Sequence, residues 1–259
     1  MKKLIPAIFV LSLTATAFAV EPAIPRDENI ERRVEETLKK MSLDDKIGQM
    51  LQLQIDVVGN GAAPFHLDEA KMDEVIGKYR TGSFLNTPLG FAGSLEGWRE
   101  WIPQLQKSSM KHLGIPTIFG LDNNHGSMYI QGGTLYPQPI NQGASFDTDM
   151  AMRLGAITAY ESRAADCPWV FNPVVDLCRD PRWSRMWESY GEDAIVNSKM
   201  AVAALKGLQG DDPNHIGKYN VATSMKHYMA YGAPFTGKDR TQLSQVRRCG
   251  IRRSCPGGR

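Results

Sequence analysis

Apolar runs rich in β-branched and aromatic residues punctuate the chain at 50–58, 82–85, 117–121, 169–177 and 221–225. Between them lie stretches whose apolar residues recur at helical spacing, at 68–78, 95–113, 148–164 and 194–208. Strand and helix in alternation predict parallel strands joined by crossover helices, because a parallel neighbour is reached only by a long return across the sheet face. Ahead of the first strand, residues 29–41 read as a charged amphipathic helix. Ser42, followed by Leu43, Asp44 and Asp45, reads as a helix N-cap with acids in the first turn. Residues 20–29 are Pro-containing and carry no period.

Both a doubly wound sheet and a (β/α)8 barrel satisfy this pattern, and the polar residues arbitrate. A doubly wound nucleotide binder shows a Gly-rich phosphate loop after its first strand. Here Gly59-Asn60-Gly61-Ala62-Ala63 has no third glycine at the required place and no helix start. Polar clusters instead follow at least three different strands, which is where barrel sites gather. The expected fold is therefore α/β, a (β/α)8 TIM-type barrel. Five strands do not close eight, so the barrel is expected to be incomplete, with its C-terminal strands missing.

Three islands carry the chemistry. Asp122 closes an apolar run and precedes Asn123, Asn124, His125 and Gly126. A carboxylate there suits two charge-assisted bonds to sugar hydroxyls, or else the N-cap of a following helix. His125, on a turn beside glycine, reads as structural. In the second island, Asp180-Pro181 forces a turn before Arg182, Trp183, Ser184 and Arg185. Arginine presents a planar fork of donors to vicinal hydroxyls or a carboxylate, and the alternative is a salt-bridge web with Glu188, Glu192 and Asp193. The third island is Lys226-His227, again closing an apolar run. Neighbouring side chains on a strand point to opposite faces, so either the backbone departs from strand geometry there or one of the two faces away. A catalytic pairing of Asp122 with Asp176 or Glu188 is the lesser reading, because Asp122 is better explained as a binding residue.

Several classes are excluded. There is no G-x-S-x-G elbow, no H-E-x-x-H, and the four cysteines contain no C-x-x-C. Cys167 and Cys178 are separated by a run that spans roughly 33–37 Å if extended, beyond disulfide reach, and both read as buried thiols. Cys249 and Cys255 are close enough in sequence to pair. No cofactor and no metal are expected.

Composition is that of an ordinary globular chain, 259 residues with 42% hydrophobic and 22% charged. The ends change the picture of the charge. Met1-Lys2-Lys3, an apolar stretch and Ala17-Phe18-Ala19 form an export signal with an A-x-A cleavage site, and Val20 after the cut leaves no lipid-bearing cysteine. Residues 241–259 hold five arginines and no acid, and read as an aberrant basic tail of the kind a shifted reading frame or gene-fragment end after about Arg240 produces, or else as a natural basic extension. The body between carries 23 basic and 28 acidic residues, which argues against nucleic acid as a partner and gives no reason to expect membrane-surface binding. The domain reading is a signal peptide at 1–19, a partial barrel domain at 20–240 and the tail at 241–259. The expected location is the periplasm or the medium.

Taken in order, the islands resemble glycoside hydrolase family 3, the exo-acting β-glucosidase and glucan exohydrolase group. The pieces that carry the resemblance are Gly114-Ile115-Pro116 leading to Asp122–Gly126, and Asn172-Pro173-Val174-Val175-Asp176 leading to Arg179–Arg185. They continue with Glu188-Ser189-Tyr190-Gly191-Glu192-Asp193 and with Lys226-His227-Tyr228 followed by Tyr231-Gly232 and Gly237-Lys238-Asp239-Arg240. The resemblance implies a barrel domain in which Asp122, Arg185, Lys226 and His227 bind a terminal glucose, the last two often joined by a cis peptide. Ser184 stands where the family usually has glycine. The stretch after Lys226-His227 lacks the histidine of the N-acetylglucosaminide-cleaving members, which implies the glucosidase branch. That branch retains anomeric configuration with two carboxylates roughly 5–5.5 Å apart. Its nucleophilic Asp and acid/base Glu are expected beyond the end of this chain, so neither role is assigned here. The implied partner is a β-glucoside or β-glucan oligosaccharide. The alternative reading is a non-catalytic protein that binds sugar or another partner.

Overall fold

The computed structural model describes residues 26–212 and 214–241. The expected signal peptide, Cys249, Cys255 and nearly all of the basic tail lie outside the described residues.

Two helices precede the sheet. α1 (Glu28–Lys40) starts at Asp27, whose carboxylate accepts from the Asn29 and Ile30 amides, and its acids and bases sit at the ends that match the helix dipole. Its apolar stripe, Ile30, Val34 and Leu38, stays largely exposed among the described residues. α2 (Leu43–Gln49) opens with the expected cap: the Asp45 amide donates to Ser42 Oγ at 3.1 Å and the Ser42 amide donates to Asp45 Oδ2 at 2.9 Å.

The sheet has five strands, β1 (Gln52–Gln54), β2 (Ser83–Leu85), β3 (Ile118–Leu121), β4 (Trp169–Val170) and β5 (Ala222–Thr223). They are hydrogen-bonded in chain order, every pair parallel. A doubly wound sheet reverses its strand order at a switch point. An unbroken sequential order is that of a barrel wall, so the α/β barrel expectation holds, with five strands of such a barrel among the described residues.

Two predicted strands are shorter than their apolar runs. The first ends at Gln54, where Ile55–Val58 turns into a 3-10 coil that buries Ile55 and Val58. Asp56 redirects it, accepting the Leu89 amide at 2.7 Å from the loop after β2. The run at 169–177 leaves strand geometry at Asn172-Pro173, because proline has no N–H for the ladder and restricts the residue before it. Pairing resumes beyond as a single bridge, Val174 to Lys226.

The long helices follow the sequence period closely: α4 (Leu95–Leu113), α6 (Thr148–Ala164) and α7 (Ala194–Gln209). The predicted helix at 68–78 divides into a short α3 (Glu69–Met72) and a wider π turn, Asp73–Lys78. α5 (Pro139–Ser145) is a short helix the period did not reveal. The main core lies between α4 and the first three strands, where Trp98 packs edge-on against Phe119 at 5.6 Å and Phe84, Leu105 and Ile76 are fully buried.

The α6 and α7 crossovers flank β4 and pack on each other without spacer side chains. A Cβ on Gly207 would stand 1.9 Å from the Met152 carbonyl oxygen, and one on Gly155 would stand 2.5 Å from that of Ala204. Backbone cannot yield as a flexible side chain does. Gly207→Ala is therefore expected to destabilise the fold by about 1–3 kcal/mol, the range for overpacking. Urea unfolding checks this, and Ala203→Ser, beside the crossing, serves as the control expected near neutral.

Candidate functional site

Each sequence-selected residue lies in a segment that follows the C-terminal end of a strand. Asp122 follows β3, Asp176 and Arg185 follow β4, and Lys226 and His227 follow β5. No helix starts at Asp122, so the capping alternative is not realised; the next helix begins at Pro139.

Asp122 is held from two directions. Lys226 Nζ lies 2.5 Å from its Oδ1, and Asn86 Nδ2 donates to its Oδ2 at 3.0 Å. The Asn86 side-chain carbonyl oxygen also accepts the Asp122 amide at 3.2 Å. Asn86 adopts a left-handed backbone, φ 60°, a conformation asparagine tolerates better than most residues. One side chain at the end of β2 thus fixes both backbone and carboxylate of Asp122.

Arg185 forms a two-pronged pair with Glu188, Nε to Oε1 at 2.7 Å and Nη2 to Oε2 at 2.6 Å, with both side chains largely buried. These bonds raise the already high pKa of the guanidinium, which stays charged throughout. Its remaining prong, Nη1, donates to Tyr231 Oη at 3.3 Å, and the guanidinium carbon lies 5.3 Å from that ring's centre. Glu188 also accepts from Asn124 Nδ2 at 3.3 Å.

The peptide between Lys226 and His227 is cis, and both side chains reach the same region. Lys226 meets Asp122, while His227 Nδ1 lies 2.7 Å from Asp176 Oδ2. The imidazole packs edge-on against Tyr231, ring centres 4.5 Å apart. The contacts therefore close a ring: Asp122, Lys226, His227, Tyr231, Arg185, Glu188, then Asn124, two residues from Asp122. The four residues chosen from sequence are brought together.

The other members of the islands divide. Arg182 is exposed and pairs with Asp180 in two bonds, Nε to Oδ1 at 3.0 Å and Nη2 to Oδ2 at 2.7 Å. The salt-bridge alternative is realised in part at Arg185, through Glu188, whereas Arg182 pairs outside the expected web. Trp183 offers no stacking face; it is buried, edge-on to Tyr231 at 5.4 Å. Ser184 is exposed, so its Cβ finds room. His125 is structural, with Nδ1 on the Tyr136 carbonyl at 2.8 Å and Nε2 near Gln138 at 3.2 Å. Cys167 and Cys178 are free and buried, as expected, and burial raises both thiols.

Sequence reasoning passed over Asn86, and it named Tyr231 only within a motif. An asparagine directly after the apolar run at 82–85 was the available signal for the first. Tyr129, on the loop after β3, adds a hydroxyl pushed up to about 12, by burial first and then by the nearby charges of Asp122 and Glu188. It remains a proton donor at any working pH. A cavity of about 480 Å³ adjoins the ring on the β5 side, lined by Asp176, Arg179, Lys226, His227 and Met229, but Asp122 and Arg185 are not among its walls. Among the described residues no three His, Cys, Asp or Glu side chains cluster as metal ligands, and no helix is long and apolar enough to cross a membrane.

The segment after His227 is tied back by Asp239, which accepts from Trp183 Nε1 at 3.0 Å. Burial favours its neutral form. Bonds from Tyr231 and Trp183, with Arg185 and Arg240 nearby, outweigh this and hold the carboxyl below its ordinary value of 3.8. A carboxylate with a depressed folded value stabilises above its unfolded value and loses that contribution as pH falls through the folded one. Asp239→Asn is thus expected to lower the urea midpoint at pH 7, with the gap to wild type narrowing as the pH falls below about 4. A gap unchanged down to pH 3 contradicts this.

A profile of the glycosyl hydrolase family 3 N-terminal domain matches residues 42–246. The lysosomal beta glucosidase of Dictyostelium discoideum is 35% identical over 220 residues, which is 80% of this chain and 27% of that protein. The periplasmic beta-glucosidase of Salmonella typhimurium is 33% identical over 230 residues, 88% of this chain and 27% of that one. Among solved structures, the Q683A mutant of the exo-1,3/1,4-beta-glucanase ExoP from a Pseudoalteromonas species superposes with a TM-score of 0.74 at 31% identity, covering 85% of this chain and 35% of that chain. The chain spans about a quarter of the length of the two curated relatives.

Proposed function

The chain belongs to glycosyl hydrolase family 3 through its N-terminal domain, and on that footing we propose that the ring at the strand ends holds the terminal non-reducing β-D-glucosyl residue of an oligosaccharide or polysaccharide. The whole protein is then a retaining exo-β-glucosidase. Asp122, Arg185, Lys226 and His227 are the substrate-binding residues, and the substrate is a β-glucoside or β-glucan oligosaccharide.

The observation that carries this reading is the closed ring itself. It sets an anionic acceptor, Asp122, against a cationic donor, Lys226, with a second cation, Arg185, further round the rim beyond the His227 and Tyr231 rings. Adjacent hydroxyls of a pyranose each donate one bond and accept others, so alternating charged acceptors and donors on a shared rim match them, and bonds to charged partners are the stronger kind. The rim groups are already oriented by one another, which lowers the ordering cost of binding.

None of the carboxylates in the ring or directly behind it is given a bond-breaking role. Glu188 is occupied on both oxygens by Arg185, Asp176 by His227 and backbone amides, and Asp122 by Lys226 and Asn86. A double displacement needs a free carboxylate to attack the anomeric carbon and a second group to move the proton. The reading therefore gives these residues recognition and leaves nucleophile and acid/base unassigned. Export to the periplasm or medium is part of the same proposal. It is supported by the signal-like residues 1–19 and by the stated location of the Salmonella relative.

Binding by the purified chain tests the assignment. Gluconolactone or glucose is expected to bind, and Asp122→Asn to weaken it roughly 10- to 100-fold, the loss of a charge-assisted bond. Isothermal calorimetry or ligand-observed NMR checks this. No turnover of nitrophenyl β-glucoside by this chain is expected. Turnover that Asp122→Asn abolishes would overturn the division between recognition and catalysis.

A further inference from the structure

Asp176 is not one of the residues that face the sugar cup, yet it is among the most enclosed charges in the molecule, its side chain only 2% exposed. It collects three donors. Gly232 N–H reaches Oδ1 at 3.1 Å, and the His227 amide and His227 Nδ1 reach Oδ2 at 3.3 and 2.7 Å. The chain is built to let it do so. A Cβ on Gly232 would stand 3.1 Å from both the Asp176 Cβ and the Leu177 carbonyl oxygen, so that backbone approach has little room for a side chain. The Asp176 backbone is itself pinned, its carbonyl oxygen accepting from Ser189 Oγ and from Asn197 Nδ2.

A carboxylate whose two oxygens already accept backbone N–H groups acts as acceptor on every side. The ring nitrogen opposite it must then carry the proton, because two acceptors cannot share a 2.7 Å contact. With Nδ1 protonated, a neutral imidazole presents a bare lone pair at Nε2. We propose that Asp176 is a positioning residue that fixes the tautomer of His227, so that the ring offers its Nε2 lone pair, and not a proton, to the bound sugar. The consequence for recognition, which rests on the sugar reading above, is that this position of the cup accepts a hydroxyl donor. A ligand carrying an acceptor there, such as a deoxyfluoro sugar, is refused.

The tautomer is read directly in the chain as expressed, by ¹⁵N-histidine correlation spectra at pH 7.5. His227→Gln identifies its signals among the five histidines. The expected result is a protonated Nδ1 and an unprotonated Nε2 in wild type. Asp176→Leu, which removes the acceptor altogether, is expected to release His227 from the Nδ1–H tautomer toward Nε2–H. The other four histidines should stay unchanged, with at least tenfold weaker gluconolactone binding. A structural role alone would leave the tautomer where it was. A wild-type His227 protonated at Nε2, or an Asp176→Leu variant with the original tautomer undiminished, overturns the proposal. The wild-type spectrum decides the first point even if the variant fails to fold. The expected tautomers with no gluconolactone binding to wild type would uphold the Asp176 assignment and sink the sugar reading instead.

Discussion

The contact between Asp122 and Lys226 spans 104 positions of sequence and joins the ends of β3 and β5 over the intervening β4. It does what the sheet alone does not. Ladder bonds set the spacing and direction of strands, but they leave the residues beyond each strand free to splay. An ion pair on side chains 14% and 30% exposed is shielded enough to matter and open enough to admit a competing ligand. Removing either partner leaves a half-buried charge without its counter-ion, which costs more than the pair contributes. The rest of the rim is arranged around this contact: Asn86 behind the carboxylate, Asp176 behind the adjoining imidazole, and Glu188 behind the arginine.

Asp122, His227 and Arg185 thus each have a partner behind them, an acidic or amide side chain from the connections after β2 and β4. A side chain steadied from behind meets its ligand with fewer rotamers to lose. This also explains why the acids of the site are poor candidates for bond cleavage. A carboxylate that serves as an anchor has given up the free lone pairs an attacking group needs. Recognition and reaction pull a carboxylate toward opposite environments, and the proposed reading places the anchored acids of the rim in the first.

The sequence carried the fold and the rim chemistry unequally. Parallel topology was legible because alternation of strand and helix admits few arrangements. The boundaries of α4 and α6 were legible because their caps are local: Ser94 with Gly114, and Asp147. The strand ends at 55 and 172 were not, since an apolar run looks the same whether it continues as a ladder or coils. What stopped them was a carboxylate reaching another loop in one case and a proline in the other. At the site, Asp122, Lys226 and His227 were visible as polar residues closing apolar runs, and Arg185 as part of the polar island after the Asp180-Pro181 turn. That Arg182 would pair on the surface while Arg185 turned inward was not visible, because the two differ only by rotation around one turn. Asn86 was hidden for a related reason. Its importance lies in a partner 36 residues away, and its place after the apolar run at 82–85 is a weaker signal than a charge in the same position.

The interlocked glycines of α6 and α7 have a bearing on how the cup behaves under load. Those two helices are the links from β3 to β4 and from β4 to β5, the strands that carry Asp122, Arg185 and Lys226. Where the helix backbones touch at Gly155 and Gly207 there is no compliant layer to shear. Any widening of the cup would have to move the pair as one piece. The bite of the rim is thereby braced from the far side of the sheet, and its selectivity borrows its stiffness from two residues that have no side chain at all.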